Sequence, residues 1–389
     1  MSYLMSNYKK EDIVFTEGKN SVLIDKNGKD YIDFAAGIGV CSLGHANDKI
    51  LKTINKQSKK ILHTSNLYKN ETQEKLAKKI SKLLGYKTYA FFCNSGAEAN
   101  ECAIKLARKY GTKNFKEKKY EILSLKNSFH GRTIATLKLT GQDKFHSESF
   151  APYPDGFKFF DSIDEVIENI SEKTVAVIIE LVQGEGGVRA LDKNSVLKLS
   201  EVLKQRNLLL ITDEVQCGVY RTGEFVASKE YGIKPDIITF AKGLGGGVPI
   251  GACVSKEDIF TFGDHGSTFG GNHLVTNVAL ATLNELIKLK KSGDLDKNIK
   301  NFKKHLDEII EDYPLIFEKR TGLGLMQGLV LKESKNLDII YKKCLENGLL
   351  ILKSGTNILR FLPPLNIDKD EIKEGFKRFK ISLKCLETR

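Results

Sequence analysis

The chain has 389 residues, 41% hydrophobic and 28% charged, and a formal net charge of +12 from 61 Lys and Arg against 49 Asp and Glu. That length exceeds one typical domain of roughly 100–200 residues, and no apolar run approaches the ~20 residues that a membrane span needs. The lysines are interleaved with acids, as in KKSGDLDKNIKNFKKH (290–305), so a solvated surface accounts for the charge, and neither nucleic acid nor membrane is an expected partner.

The first residues, MSYLMSNYKKEDIVF, contain no apolar signal-peptide core. Cysteines at 41, 93, 102, 217, 253, 344 and 385 form no C-x-x-C pair, which argues for free thiols in the reducing cytoplasm rather than a disulfide framework or a zinc knuckle. The histidines show no H-E-x-x-H or H-x-H spacing, and no metal site is expected. Dinucleotide and triphosphate loops fail on spacing. GIGVCSLG has Ser42, and GLGLMQG has Gln327, where G-x-G-x-x-G requires glycine, and neither Gly-Lys pair, at 18 or 28, is followed by Ser or Thr.

Strands are expected at YAFFCN (89–94), EILSLK (121–126), TVAVIIE (174–180), LLLITDE (208–214), DIITFAK (236–242) and GACVS (251–255). Helical patterns such as NSVLKLSEVLKQRN (194–207) lie between most of them. This alternation predicts an α/β fold, a parallel or mixed sheet with helices on both faces. Residues 276–312 read as mostly helical. Beyond them GLVLK, GLLILKSG and ILRFLPPL, then a charged helix from 368, predict a smaller α/β lobe.

Ligands of such sheets bind at the carboxyl ends of the strands, so the polar residues ending apolar runs are the candidates. Asn94, Ser95 and Gly96 lead into a helix whose face is Ala99, Cys102, Ala103, Leu106 and Tyr110. That turn is either an ordinary N-cap or a phosphate cradle of free amides at the positive helix end. Asp213 and Glu214 end another run, where a buried carboxylate needs a metal, a salt bridge or a protonated heteroaromatic nitrogen as partner. Glu180 ends a third run, Glu185 follows it in a glycine loop, and Phe129, His130 and Arg132 cluster in KNSFHGRT; each of these is core or site. Lys242 ends IITFAK before GLGGG, and it either reaches out to water or is held at a site. A phosphate cradle, an acid for a ring nitrogen and a lysine for an aldehyde together are the parts that pyridoxal 5'-phosphate requires.

With these residues in view, the sequence resembles the class III, ornithine-type aminotransferases over nearly its whole length. The resemblance is carried by DFAAGIGVCSLGH, NSGAEANECAIKLAR, FHGRT, ELVQGEGG, LITDEVQCGVYRTG, FAKGLGGGVPIGA, GSTFGGN and LRFLPPL, in the family's order. It implies a fold-type I pyridoxal phosphate transferase: a large domain with a mainly parallel seven-stranded sheet, plus a smaller α/β domain built from both chain ends. The corresponding divisions are 1–50, 51–285 and 286–389. It implies that Lys242 holds pyridoxal phosphate covalently and that Ser95, Gly96 and Ala97 hold its phosphate. Phe129 would stack on the ring, Asp213 would pair with the ring nitrogen, Gln216 would lie near the ring hydroxyl, and Glu214 and Val215 would complete the cofactor site. Thr268 would reach the phosphate of a second subunit, making a homodimer with shared active sites. Arg132, Glu185, Ser267 and Arg360 would bind substrate, with 2-oxoglutarate as amino acceptor. Ile38 stands where enzymes of free ornithine typically carry tyrosine, which suits an acylated donor such as acetylornithine and leaves succinyl-diaminopimelate, succinylornithine, ornithine and 4-aminobutyrate as alternatives. GGNHLVTN departs from the family, which often has proline after the asparagine; the difference touches a helix start and not the chemistry.

Overall fold

Side chains that alternate or run apolar over four to seven residues bury well on a pleated surface. In the computed structural model, which describes residues 3–386, the expected runs become neighbouring strands. Residues 1–2 and 387–389, and the side chain of Cys385, lie outside the described residues. In chain order the strands are β1 (Phe15–Lys19), β2 (Val22–Asp25), β3 (Asp30–Asp33), β4 (Tyr89–Cys93), β5 (Glu121–Leu125), β6 (Phe157–Phe160), β7 (Thr174–Ile179), β8 (Val182–Gln183) and β9 (Arg189–Ala190). They continue with β10 (Leu209–Asp213), β11 (Ile237–Phe240), β12 (Gly251–Ser255), β13 (Phe317–Leu323), β14 (Met326–Leu331), β15 (Leu349–Leu350), β16 (Leu352–Ser354) and β17 (Ile358–Phe361).

The central sheet has seven strands in the order β4-β12-β11-β10-β7-β5-β6. Neighbours from β11 to β6 are parallel, and β12 is antiparallel to both β11 and β4. Only β12 is therefore reversed, and the carboxyl ends of the other strands open on one edge. β6 is a strand that the apolar pattern did not reveal, because its FKFF run lies at the sheet's end and is only partly buried.

The smaller α/β part draws on both chain ends. β15 adds in parallel to β3 in the sheet β1-β2-β3-β15, and β13-β14-β17-β16 form an antiparallel sheet. Its helix Lys369–Leu383 starts at a capping box of Asp368 and Glu371, and Glu371 also accepts the Ser21 hydroxyl at 2.6 Å, tying the two ends together. Beneath it Phe34, Phe302 and Phe376 meet with ring centroids 4.9–5.4 Å apart.

The expected divisions at 50/51 and 285/286 fall within the helices Asp48–Ser58 and His273–Lys291, which pack against each other. The second of these helices ends before Gly293 (φ 79°), which leads into the helix Asp294–Asp312. Among the described residues no helix is long and apolar enough to cross a membrane.

Replacing a helical glycine by alanine ordinarily stabilises by up to ~1 kcal/mol. At Gly375, inside Lys369–Leu383, a Cβ would collide with the Phe34 ring. Gly375→Ala is therefore expected to destabilise by about 1–3 kcal/mol, read as a lower urea midpoint.

Candidate active site

A cavity of about 480 Å³ opens at the carboxyl edge of the central sheet. Ser95, Gly96 and Ala97 reach it from the turn after β4, Phe129 and Arg132 from the loop after β5, Asp213, Val215 and Gln216 from the end of β10, and Lys242 from the end of β11. The turn after β4 forms because Ser95 is an N-cap. Its hydroxyl accepts the Glu98 amide at 3.2 Å, and the Glu98 carboxylate returns to the Asn94 amide at 2.8 Å. The first amides of the helix Gly96–Asn114 keep no intrahelical acceptor and sit at the positive end of its dipole. Gly96 is required by contact, since a Cβ there would stand 2.7 Å from Val215 Cγ1.

Asp213 is 3% exposed, so its charge must be met by donors. Its Oδ2 accepts Asn100 Nδ2 at 2.8 Å and pairs with His130 Nδ1 at 2.8 Å, and its Oδ1 accepts the Val215 amide at 3.0 Å. In the parallel β7–β10 register Ile179 faces Thr212, so Glu180 and Asp213 leave the sheet side by side. Burial, and then the Asp213 charge, push the Glu180 carboxyl well above the usual carboxylate range and favour its neutral acid. Glu180 Oε1 accepts the Phe129 amide at 2.7 Å, which sets the loop carrying Phe129 and Arg132.

Glu214 does not belong to the cavity. Its carboxylate turns to the far side of the strand end, where it accepts the amides of Ala227 at 2.8 Å and Ser228 at 2.9 Å and the Cys217 thiol at 3.3 Å. Successive residues of a strand point to opposite faces, which separates the adjacent acids into one at the site and one in the core.

Lys242 has φ 42° at the end of β11, and its amine makes no hydrogen bond or ion pair among the described residues. Burial first, and the Arg360 charge second, lower its pKa to about 8, against the opposing pull of Glu185, Asp213 and Glu180. Arg360, on β17, is 3% exposed and gives Nη1 to Glu185 Oε1 at 2.6 Å, Gly184 O at 3.0 Å and Gln216 Oε1 at 3.2 Å. Burial alone would raise the Glu185 carboxyl, but Arg360 outweighs it and the pKa is lowered. Arg132 is exposed and makes no hydrogen bond or ion pair among the described residues.

Ser267 stands at the rim, where its hydroxyl accepts Asn94 Nδ2 at 3.2 Å. Thr268 is exposed, and neither it nor Ile38 lines the cavity of this chain. Ile38 sits in a left-handed turn, φ 63°, leading to Val40, which does line it. Two contributors were missed from sequence. Asn100 holds Asp213; a polar residue on the Gly96, Ala103, Ala107 stripe of a helix was the available signal. Ser354 clasps the Glu185 loop, donating to Gly184 O at 2.7 Å and accepting Gly187 N at 2.9 Å; that pairing is long-range and left no local trace.

The family model described as aminotransferase class-III matches residues 3–383. A protein of Wolinella succinogenes named acetylornithine aminotransferase is 50% identical, with 98% of each chain covered. The solved N-acetylornithine aminotransferase of Stenotrophomonas maltophilia is 32% identical at TM-score 0.83, with 98% of each chain covered. A Toxoplasma gondii ornithine aminotransferase structure, described as partly occupied by PLP at its active site, is 29% identical at TM-score 0.92, covering 99% of this chain and 92% of that one.

Because Lys242 is depressed to about 8, reductive methylation of its amine in aldehyde-free protein should rise through that pH, well below the ~10.4 of ordinary lysines. Arg360→Ala removes a repelling charge and should move the midpoint upward; peptide mass spectrometry across a pH series reads both.

Proposed function

The chain belongs to the class-III aminotransferases, and from that premise we propose that it moves the terminal amino group of N2-acetylornithine to 2-oxoglutarate, releasing N-acetylglutamate 5-semialdehyde and glutamate. The observation that carries this reading is the unpartnered Lys242 amine, depressed in pKa, in the same cavity as a donor-held carboxylate and a helix N-terminus. Those residues fit pyridoxal phosphate. The amides of Gly96 and Ala97 with Ser95 would hold the phosphate, Phe129 and Val215 would flank the ring, Gln216 would lie near its hydroxyl, and Asp213 would face its nitrogen. Bound there, the cofactor supplies a carbonyl that takes up amino groups and a conjugated ring that accepts the electron pair left by the departing proton.

The protein's own groups do the rest. Lys242 Nζ has two tasks: it anchors the cofactor between turnovers, and when free it carries a proton away from the substrate carbon that bears nitrogen. A pKa near the working pH keeps both protonation states available for that transfer. Asp213, oriented by its three donors, holds a proton on a ring nitrogen in front of it. Arg132 takes the α-carboxylate of acetylornithine in one half-reaction and the distal carboxylate of 2-oxoglutarate in the other, since a guanidinium fork reads either. Arg360 is kept by Glu185 while the donor, which has no second carboxylate, is bound and is released to the α-carboxylate of 2-oxoglutarate.

Aliphatic Ile38 and relatives named for acetylornithine support an acylated donor. A homodimer is supported by exposed Leu67, Tyr68 and Phe269, which lie together because His63 packs 5.2 Å from Phe269 and Asn66 bonds Ser267 O at 2.9 Å. A second copy covers that patch and receives Thr268 at its own phosphate site. Free thiols at Cys41, Cys93, Cys102, Cys217 and Cys253 support the cytoplasm.

Single-turnover kinetics test the reading. Lys242→Ala should abolish both half-reactions, and borohydride should fix the cofactor on the peptide containing Lys242. Arg360→Ala should cost the 2-oxoglutarate half roughly 30-fold or more in kcat/KM, against a small loss in the acetylornithine half from the raised Lys242 pKa; equal slowing of both would mean that Arg360 has no part in recognising 2-oxoglutarate.

A further inference from the structure

Arg360 and Arg132 are kept ready in opposite ways. Arg360 gives Nη1 to Glu185, a carboxylate that a substrate must displace. Arg132 instead lies against aromatic rings: its Cζ is 4.2 Å from the Phe145 centroid and 5.6 Å from that of Phe129. The Phe145 ring in turn meets Phe129 edge-on, 5.8 Å away at 73°. The turn that carries Phe145 is pinned to the residue before Phe129, since Phe145 N bonds Gln142 O at 3.0 Å, Gln142 Nε2 bonds Ser128 O at 3.0 Å, and Gly141 N bonds Ser128 Oγ at 3.0 Å. Lys144 Nζ lies 5.0 Å from the same ring, adding positive charge beside the guanidinium.

We infer that Phe145 is a positioning residue for both substrates: its ring holds the Arg132 guanidinium at the cavity rim while leaving the N–H fork free for a carboxylate. A ring attracts a cation through its quadrupole and accepts no N–H in the plane of the guanidinium. A carboxylate partner would have ordered the side chain equally well, but it would have competed with every substrate. With Phe145 the arginine loses less rotamer freedom on binding and gives up no existing partner. This suits an arginine that serves both half-reactions, whereas the displaceable Glu185 suits one used in a single half. The inference rests on the reading of Arg132 as the substrate carboxylate site.

Glutarate, a dicarboxylate with no carbonyl to react, is the probe, titrated calorimetrically into the holoenzyme. Phe145→Leu keeps apolar bulk and removes the quadrupole. It should weaken glutarate binding and raise KM for acetylornithine and 2-oxoglutarate by roughly two- to fivefold, with kcat, cofactor absorbance and thermal midpoint unchanged, and Phe145→Tyr should restore parental values. In an Arg132→Ala background Phe145→Leu should cost nothing more. If Arg132→Ala weakens glutarate and Phe145→Leu does not, or if the two losses add fully, the positioning role is wrong and the reading of Arg132 stands. If Arg132→Ala leaves glutarate binding intact, that reading falls and takes this inference with it.

Discussion

A carboxylate taken out of water has to be met by donors, and the site is built around that requirement at Asp213. Three elements converge to supply them: Asn100 from the helix Gly96–Asn114, His130 from the loop after β5, and the Val215 amide from the chain leaving β10. Each element also brings something else to the cavity. The helix brings its free first-turn amides, the loop brings Phe129 and Arg132, and Val215 brings the wall against which Gly96 closes. Satisfying one charge therefore fixes the mutual positions of most of the site.

The second acid shows the same constraint from the other side. Glu180 emerges beside Asp213 from the neighbouring strand, with amide donors, among the described residues, from Phe129 and, at 3.4 Å, Gly184. Two buried charges of one sign side by side cost more than one, so the less well served carboxyl is driven toward its neutral form. Neutral Glu180 still accepts the Phe129 amide, so it keeps its structural task without adding negative charge.

A continuous apolar core joins the two parts of the molecule, and polar side chains add specific links across it. Arg360 and Ser354 reach from the smaller sheet to the Glu185 loop, and Arg221, fully buried, gives Nη1 to the carbonyls of Leu325 at 3.1 Å and Pro363 at 2.5 Å. Arg360 lowers the Lys242 pKa while Glu185 raises it. The occupant of Arg360 thus bears on the protonation of Lys242, which joins carboxylate recognition in one part to proton transfer in the other.

The strands of the cavity, the N-cap at Ser95 and the polar ends at Glu180, Asp213 and Lys242 were legible in the sequence because each is written locally, by apolar period, capping chemistry and glycine spacing. The order of the motifs was enough to indicate the family. Features that depend on what a residue faces across space were not legible. Half-exposed β6, the inward turn of Glu214 and the reach of Asn100 to Asp213 are of this kind. Adjacent Asp213 and Glu214 are the sharpest case. Residue type and position along the chain scarcely distinguish them, and only the packed neighbours, the first two amides of the short helix Ala227–Glu230 on one side and His130 with Asn100 on the other, decide which carboxylate belongs to the cavity and which to the core.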